Sequence, residues 1–78
     1  MECFICSEEA ERLPAGGDWA ALNCPDCGRY RVTGTLVAIM RAGNEKLDRE
    51  PTLQWLARRR EFDDFPLIGE FDAFVVRK

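Results

Sequence analysis

Four cysteines and no histidine stand in this chain of 78 residues. They fall in two pairs, Cys3 with Cys6 and Cys24 with Cys27, each with two residues between its members. Seventeen residues separate the pairs, within the spacing of a four-cysteine zinc site. A tetrahedral Zn²⁺ takes four thiolates at about 2.3 Å. Two intervening residues let a tight turn place both sulfurs of a pair on one ion. Such a turn also aims backbone N–H groups at the sulfurs, which lowers the cost of their negative charge. In "NCPDCGRYRVTG", Pro25 presets one dihedral of the turn and Gly28 can take the positive φ that follows it. The connector between the pairs is long enough to form a hairpin and return the second pair to the first.

Other chemistries of four cysteines stay open at this stage. Tetrahedral sulfur coordination also suits a rubredoxin-like iron. One pair could exchange thiol for disulfide, although a catalytic pair usually opens a helix beside a sheet and neither pair here does so clearly. Buried or disulfide-linked cysteines complete the set. A catalytic zinc keeps one position open for water behind three protein ligands. Four thiolates close the shell, and without histidine the commonest general base is missing. The expectation is a structural metal and no enzymatic activity.

"CFIC … CPDCGRYRVTG" resembles the zinc ribbons, in particular the four-cysteine ribbon at the N-terminus of many short uncharacterised bacterial proteins. In that form a second knuckle, C-P-x-C-G, is followed by an aromatic residue, a strand and Thr-Gly. Cys24, Pro25, Cys27, Gly28, Tyr30, Thr33 and Gly34 match it. The resemblance implies metal ligation by Cys3, Cys6, Cys24 and Cys27, and a fold, but no reaction. The first knuckle departs from the form at Ser7, where a glycine is more usual. The resemblance covers about the first 35 residues. "LQWLARRREFDDFPLIGEF" is only faintly similar to the helix, loop and second helix that follow such ribbons.

The elements that must position the cysteines read as follows. "LPAGGDW" is a loop or hairpin turn. "RYRVT" alternates as a half-buried strand, with Tyr30 and Val32 on one face and Arg29, Arg31 and Thr33 on the other. "TLVAIMRAG" suits a helix with Thr35 capping its start and Gly43 ending it in a left-handed conformation. Its apolar side is Leu36, Val37 and Met40. Residues 44–49 read as a polar loop. Pro51 suits the first turn of a second helix with a stripe of Leu53, Leu56 and Ala57, and Arg58–Arg60 sit where the helix dipole favours cations. Pro66 breaks this pattern. In the tail, Phe71, Phe74 and Val75 fit a short third helix, although "FVV" has strand propensity. The expected fold is small α+β: residues 1–34 a zinc ribbon of two knuckles and a β-hairpin, and residues 35–78 two or three helices packed on it.

Net charge −3 excludes long-range attraction to nucleic acid, and thiolates around a dication would make the chain more negative still. No stretch is long and apolar enough for a membrane span, and the first residues do not form a secretory signal. A cytoplasmic location is therefore expected. The expected role is a non-enzymatic protein-interaction or adaptor module fixed by one structural Zn²⁺, with iron the less favoured metal. The alternative is a nucleic-acid-binding ribbon using Arg29, Arg31 and Arg58–Arg60, with Trp19, Tyr30 or Trp55 stacking on bases. Against it, Arg58–Arg60 suit a solvated helix end and those aromatics suit a small core. Asp63 and Asp64 read as an exposed loop rather than an acid–base pair.

Overall fold

Why the chain returns on itself between the cysteine pairs is visible in a computed structural model, which describes residues 1–78. β1 (Glu11–Leu13) and β2 (Trp19–Cys24) are antiparallel, joined by the loop that holds Pro14, Gly16 and Gly17. β2 turns at Pro25–Cys27 into β3 (Gly28–Thr33), with Cys24 opposite Gly28, Leu22 opposite Tyr30 and Ala20 opposite Val32. These six residues share one face. Its larger side chains, Leu22, Tyr30 and Val32, are fully buried. The period-two reading of "RYRVT" therefore holds.

The other face of this hairpin carries arginines stacked on aromatic rings. Arg29 and Arg31 point the same way from β3 and flank Phe65, at 4.9 and 5.0 Å from its centroid. Arg31 also lies 5.5 Å from the Trp19 ring and donates through Nε and Nη2 to the Phe65 carbonyl at 2.9 and 2.7 Å. A guanidinium presents several donors in a rigid plane and stacks on π faces, so one side chain can do both.

α1 (Gly34–Ala42) follows β3 without a loop. Its N-cap is Thr33, not Thr35. The Thr33 hydroxyl accepts from the Leu36 N–H at 3.2 Å, and its extended backbone is still that of the strand. At the other end the left-handed residue is Asn44 (φ 51), not Gly43 (φ −92). Asparagine tolerates that conformation better than most side chains. Leu36 and Met40 are buried and Val37 partly so, as the spacing predicts.

Residues 44–49 are not a loop throughout. They contain β4 (Glu45–Leu47), which pairs antiparallel with β6 (Val75–Arg77). The tail is therefore a strand and not the expected third helix, and only two helices form. Phe71, expected on a helical stripe, is 97% exposed in a turn. Bonds from the Asp48 N–H to the Phe74 carbonyl and from the Lys78 N–H to the Asn44 carbonyl bracket the β4–β6 pair. α2 (Arg49–Arg59) buries only Thr52 and Leu56. Ala57, assigned to its stripe, is exposed, while Thr52 is buried with its hydroxyl unpaired. β5 (Leu67–Ile68) then adds parallel to β3, giving a four-stranded sheet of order β1-β2-β3-β5 beside the two-stranded β4–β6 sheet. One core joins them: Ile5, Leu22, Tyr30, Val32, Leu36, Met40, Leu47, Leu56 and Ile68, with three of the cysteines.

Candidate metal centre

The first cysteine turn is a small hairpin of its own. The Cys3 N–H donates to the Glu8 carbonyl at 2.8 Å and the Ser7 N–H to the Cys3 carbonyl at 3.1 Å. Ser7 follows Cys6 at φ 66, as Gly28 follows Cys27 at φ 84. Both turns thus end in the left-handed region, and the first does so with a side chain, at a cost of about 1–2 kcal/mol. The second turn is the β2–β3 connection itself.

The two turns face each other across the core. Cys6 Sγ lies 3.5 Å from Cys24 Sγ, and Cys3 Sγ lies 4.0 Å from Cys27 Sγ. All four sulfurs fall within 4.8 Å of one another. A regular tetrahedron with metal–sulfur bonds of about 2.3 Å has sulfurs about 3.8 Å apart, so the two measured separations bracket the edge a metal requires. No sulfur is in a disulfide. The donor set is all sulfur, which suits zinc or iron and not the oxygen-seeking magnesium or calcium. These four side chains could hold one metal ion. Cys3, Cys24 and Cys27 are buried and Cys6 is half-buried, so any path to solvent lies on the Cys6 side.

Neighbouring donors orient the sulfurs. The Ile5 N–H reaches Cys3 Sγ at 3.4 Å. Tyr30, wholly buried, accepts from the Phe4 N–H at 3.1 Å, and its oxygen lies 3.0 Å from Cys3 Sγ. A metal-bound Cys3 thiolate could only accept, so in a loaded site the phenolic O–H would be the donor to this sulfur. Burial and then the adjacent Cys3 sulfur raise the Tyr30 pKa, so this proton stays in place. The Phe4 carbonyl in turn accepts from the Leu47 N–H at 2.7 Å, which ties the first turn to β4. The alternation of "RYRVT" sets Tyr30 on one face with Val32, but nothing in it says what faces the ring, so this contact is not legible in the sequence.

Burial raises the Cys6 and Cys27 thiol pKa values, and for Cys27 the charge on Cys3 adds to it. Burial also pulls Cys24 upward, but the N–H groups of Asp26 and Cys27, with the Cys6 and Cys3 thiols, outweigh it and lower its pKa. A metal must displace the protons held by Cys6 and Cys27, so its uptake releases protons and weakens as pH falls.

Tyr30→Phe removes the O–H donor and leaves the Phe4 N–H unpaired. An orphaned buried donor costs about 1–3 kcal/mol, and loss of an outer-shell partner typically weakens metal binding about 10–100-fold. A chelator-competition titration of the variant should read that loss. Unchanged affinity would mean that the hydroxyl serves only Phe4.

Arg60, half-buried, folds back onto the second cysteine turn. Its Nη2 donates to the Cys27 and Arg29 carbonyls, both at 2.9 Å. Arg59 lies over the Trp55 ring at 5.2 Å, and Trp55 is half-buried against the core. Asp63 and Asp64 are exposed; Asp63 caps the Phe65 N–H at 2.9 Å and stands 3.7 Å from Arg31. Neither helix is long and apolar enough to cross a membrane. Set against known protein families, curated proteins and solved structures, the chain matches none.

Proposed function

We propose that this chain is a four-cysteine zinc ribbon with a helical and stranded extension, in which one structural Zn²⁺ held by Cys3, Cys6, Cys24 and Cys27 fixes a non-enzymatic module for protein interaction. The observation that carries the reading is the convergence of four sulfurs, from two turns far apart in sequence, within 4.8 Å of one another. Zinc would supply stability and no redox or open-site chemistry, because four thiolates fill its shell. The chain's own residues supply the frame. Backbone N–H groups and the Tyr30 hydroxyl stabilise sulfur charge, and the buried core keeps water from three of the four ligands.

An interaction role rests on chemistry more than on a defined groove. The chain carries no histidine and its acidic side chains lie at the surface, while Phe62 and Phe71 are largely exposed. Nucleic-acid binding is the less favoured reading. Two of the five arginines it needs, Arg31 and Arg60, spend their donors on backbone carbonyls, and the formal charge is −3.

Native mass spectrometry of the intact protein should report one zinc per chain. A colourless preparation with that stoichiometry removes iron, and a red one installs it. A chain that takes up no metal overturns the reading. Gel-shift assays at low salt on single- and double-stranded DNA and RNA should show no complex; a retarded, salt-sensitive band would favour the nucleic-acid alternative.

A further inference from the structure

We propose that Arg60 is a positioning residue for the metal centre, clamping the second cysteine turn from the C-terminal end of α2 so that metal affinity depends on a side chain outside the ribbon. The inference rests on the metal-binding reading of the four cysteines and adds a residue to it.

The geometry is specific. The two carbonyls that Arg60 Nη2 bonds belong to Cys27 and Arg29, one on each side of Gly28. The Cys27 carbonyl lies in the peptide plane that the positive φ of Gly28 orients, and Cys27 is one of the four clustered cysteines. The guanidinium lies against the bare α-carbon of Gly28. A Cβ there would stand 2.8 Å from Nη2 and 3.2 Å from Cζ. Glycine serves twice here: it takes the positive φ without strain, and it leaves the guanidinium where a side chain would push it aside.

Electrostatics act in the same direction. Four thiolates around a dication leave a net negative centre, and a guanidinium stays charged at any working pH. Held on the Cys27 carbonyl, it brings a fixed positive charge to the turn that bears two of the sulfurs. Along α2 only Thr52 and Leu56 are buried, with Leu53 and Trp55 partly packed on the core, and Arg60 adds polar bonds at its end. By linkage, whatever Arg60 contributes to metal affinity, the metal contributes to docking of this helix end. The run "ARRRE" is thereby divided: Arg58 and Arg59 are exposed and Arg60 is structural to the site.

The test uses the full chain as wild type, Arg60→Gln, Arg60→Lys and Arg59→Glu. Zn²⁺ affinity is read by competition with a chromophoric chelator, and thermal midpoints are taken with and without metal. Arg60→Gln should weaken Zn²⁺ binding about 10–100-fold, the range typical of outer-shell partners. Arg60→Lys should recover part of the loss, since it keeps the charge but not the fork. Arg59→Glu should bind as the wild type does. Equal Zn²⁺ affinity of Arg60→Gln and wild type, with midpoints lowered alike in both forms, would reduce Arg60 to a stabilising contact and overturn the proposal. If Arg60→Gln does not fold even with metal, Arg60→Lys decides: wild-type affinity there overturns it as well. A wild type that takes up no Zn²⁺ fails the metal reading itself, whereas metal-binding wild type with an indifferent Arg60 fails only this inference.

Discussion

Cys24→Ser, and equally Cys27→Ser, is expected to release the metal and unfold the N-terminal half of the chain. Both sulfurs are buried and both belong to the core shared by the hairpin and α1. A structural Zn²⁺ supplies an apparent binding free energy of about 10–16 kcal/mol in small folded peptides. Whole domains are stable by only about 5–15 kcal/mol. Here 17 of 78 residues are buried, so the interior alone offers little to replace the metal. Serine offers a protonated hydroxyl in place of a thiolate, so the shell is left one ligand short. Proton–nitrogen correlation spectra should lose dispersion for residues of β2 and β3, alongside loss of zinc in mass spectra. A serine variant that keeps both its dispersion and its zinc would show that the fold does not rest on this centre. The same logic applies to the wild type under a strong chelator, where the melting point should fall sharply.

Gly28→Val should destabilise the second turn by several kcal/mol, through two separate penalties. The first is backbone strain: at φ 84 a side chain is disfavoured, and such residues cost about 1–3 kcal/mol, with β-branched side chains the worst placed. The second is displacement of Arg60, because the new Cβ would sit 2.8 Å from its Nη2. Hydrogen bonds to a charged donor are worth about 1.5–3 kcal/mol. Adding Arg60→Gln to Gly28→Val should therefore cost less than it does in the wild type, since the clamp is already broken. Denaturant titration of the four proteins in the cycle, loaded with zinc, reads this directly. Full additivity would mean that the valine strains the backbone without moving the arginine. The converse change, Ser7→Gly, should relieve the first turn by about 1 kcal/mol, since a left-handed residue loses its Cβ penalty.

How much of this was legible beforehand differs from element to element. The strand over Arg29–Thr33 could be read because each alternate side chain has a different polarity, and that pattern survives in β3. α1 could be read from Leu36, Val37 and Met40, but its cap could not be placed to the residue. Thr33 and Thr35 are both competent caps, and only the end of β3 decides between them. β4 and β6 are not legible in the sequence because each is a three-residue strand with no pattern of its own. "EKL" and "VVR" become strands by pairing with each other across nearly thirty residues of chain. A stripe of Phe71, Phe74 and Val75 satisfies helical spacing equally well when no partner is known.

The amino-acid sequence by itself determined that the cysteines come as two turn-forming pairs, that a hairpin can return one to the other, and that no histidine stands beside them as a ligand. These are local properties, carried by spacing and by the dihedral preferences of proline and glycine. Only the tertiary structure decided which side chains serve those turns. The Tyr30 hydroxyl meets the Cys3 sulfur across 27 positions, and Arg60 donates to the Cys27 carbonyl across 33. Both bonds depend on the relative placement of separately folded pieces, and a donor with several possible acceptors leaves no periodicity in a sequence to reveal which one it meets.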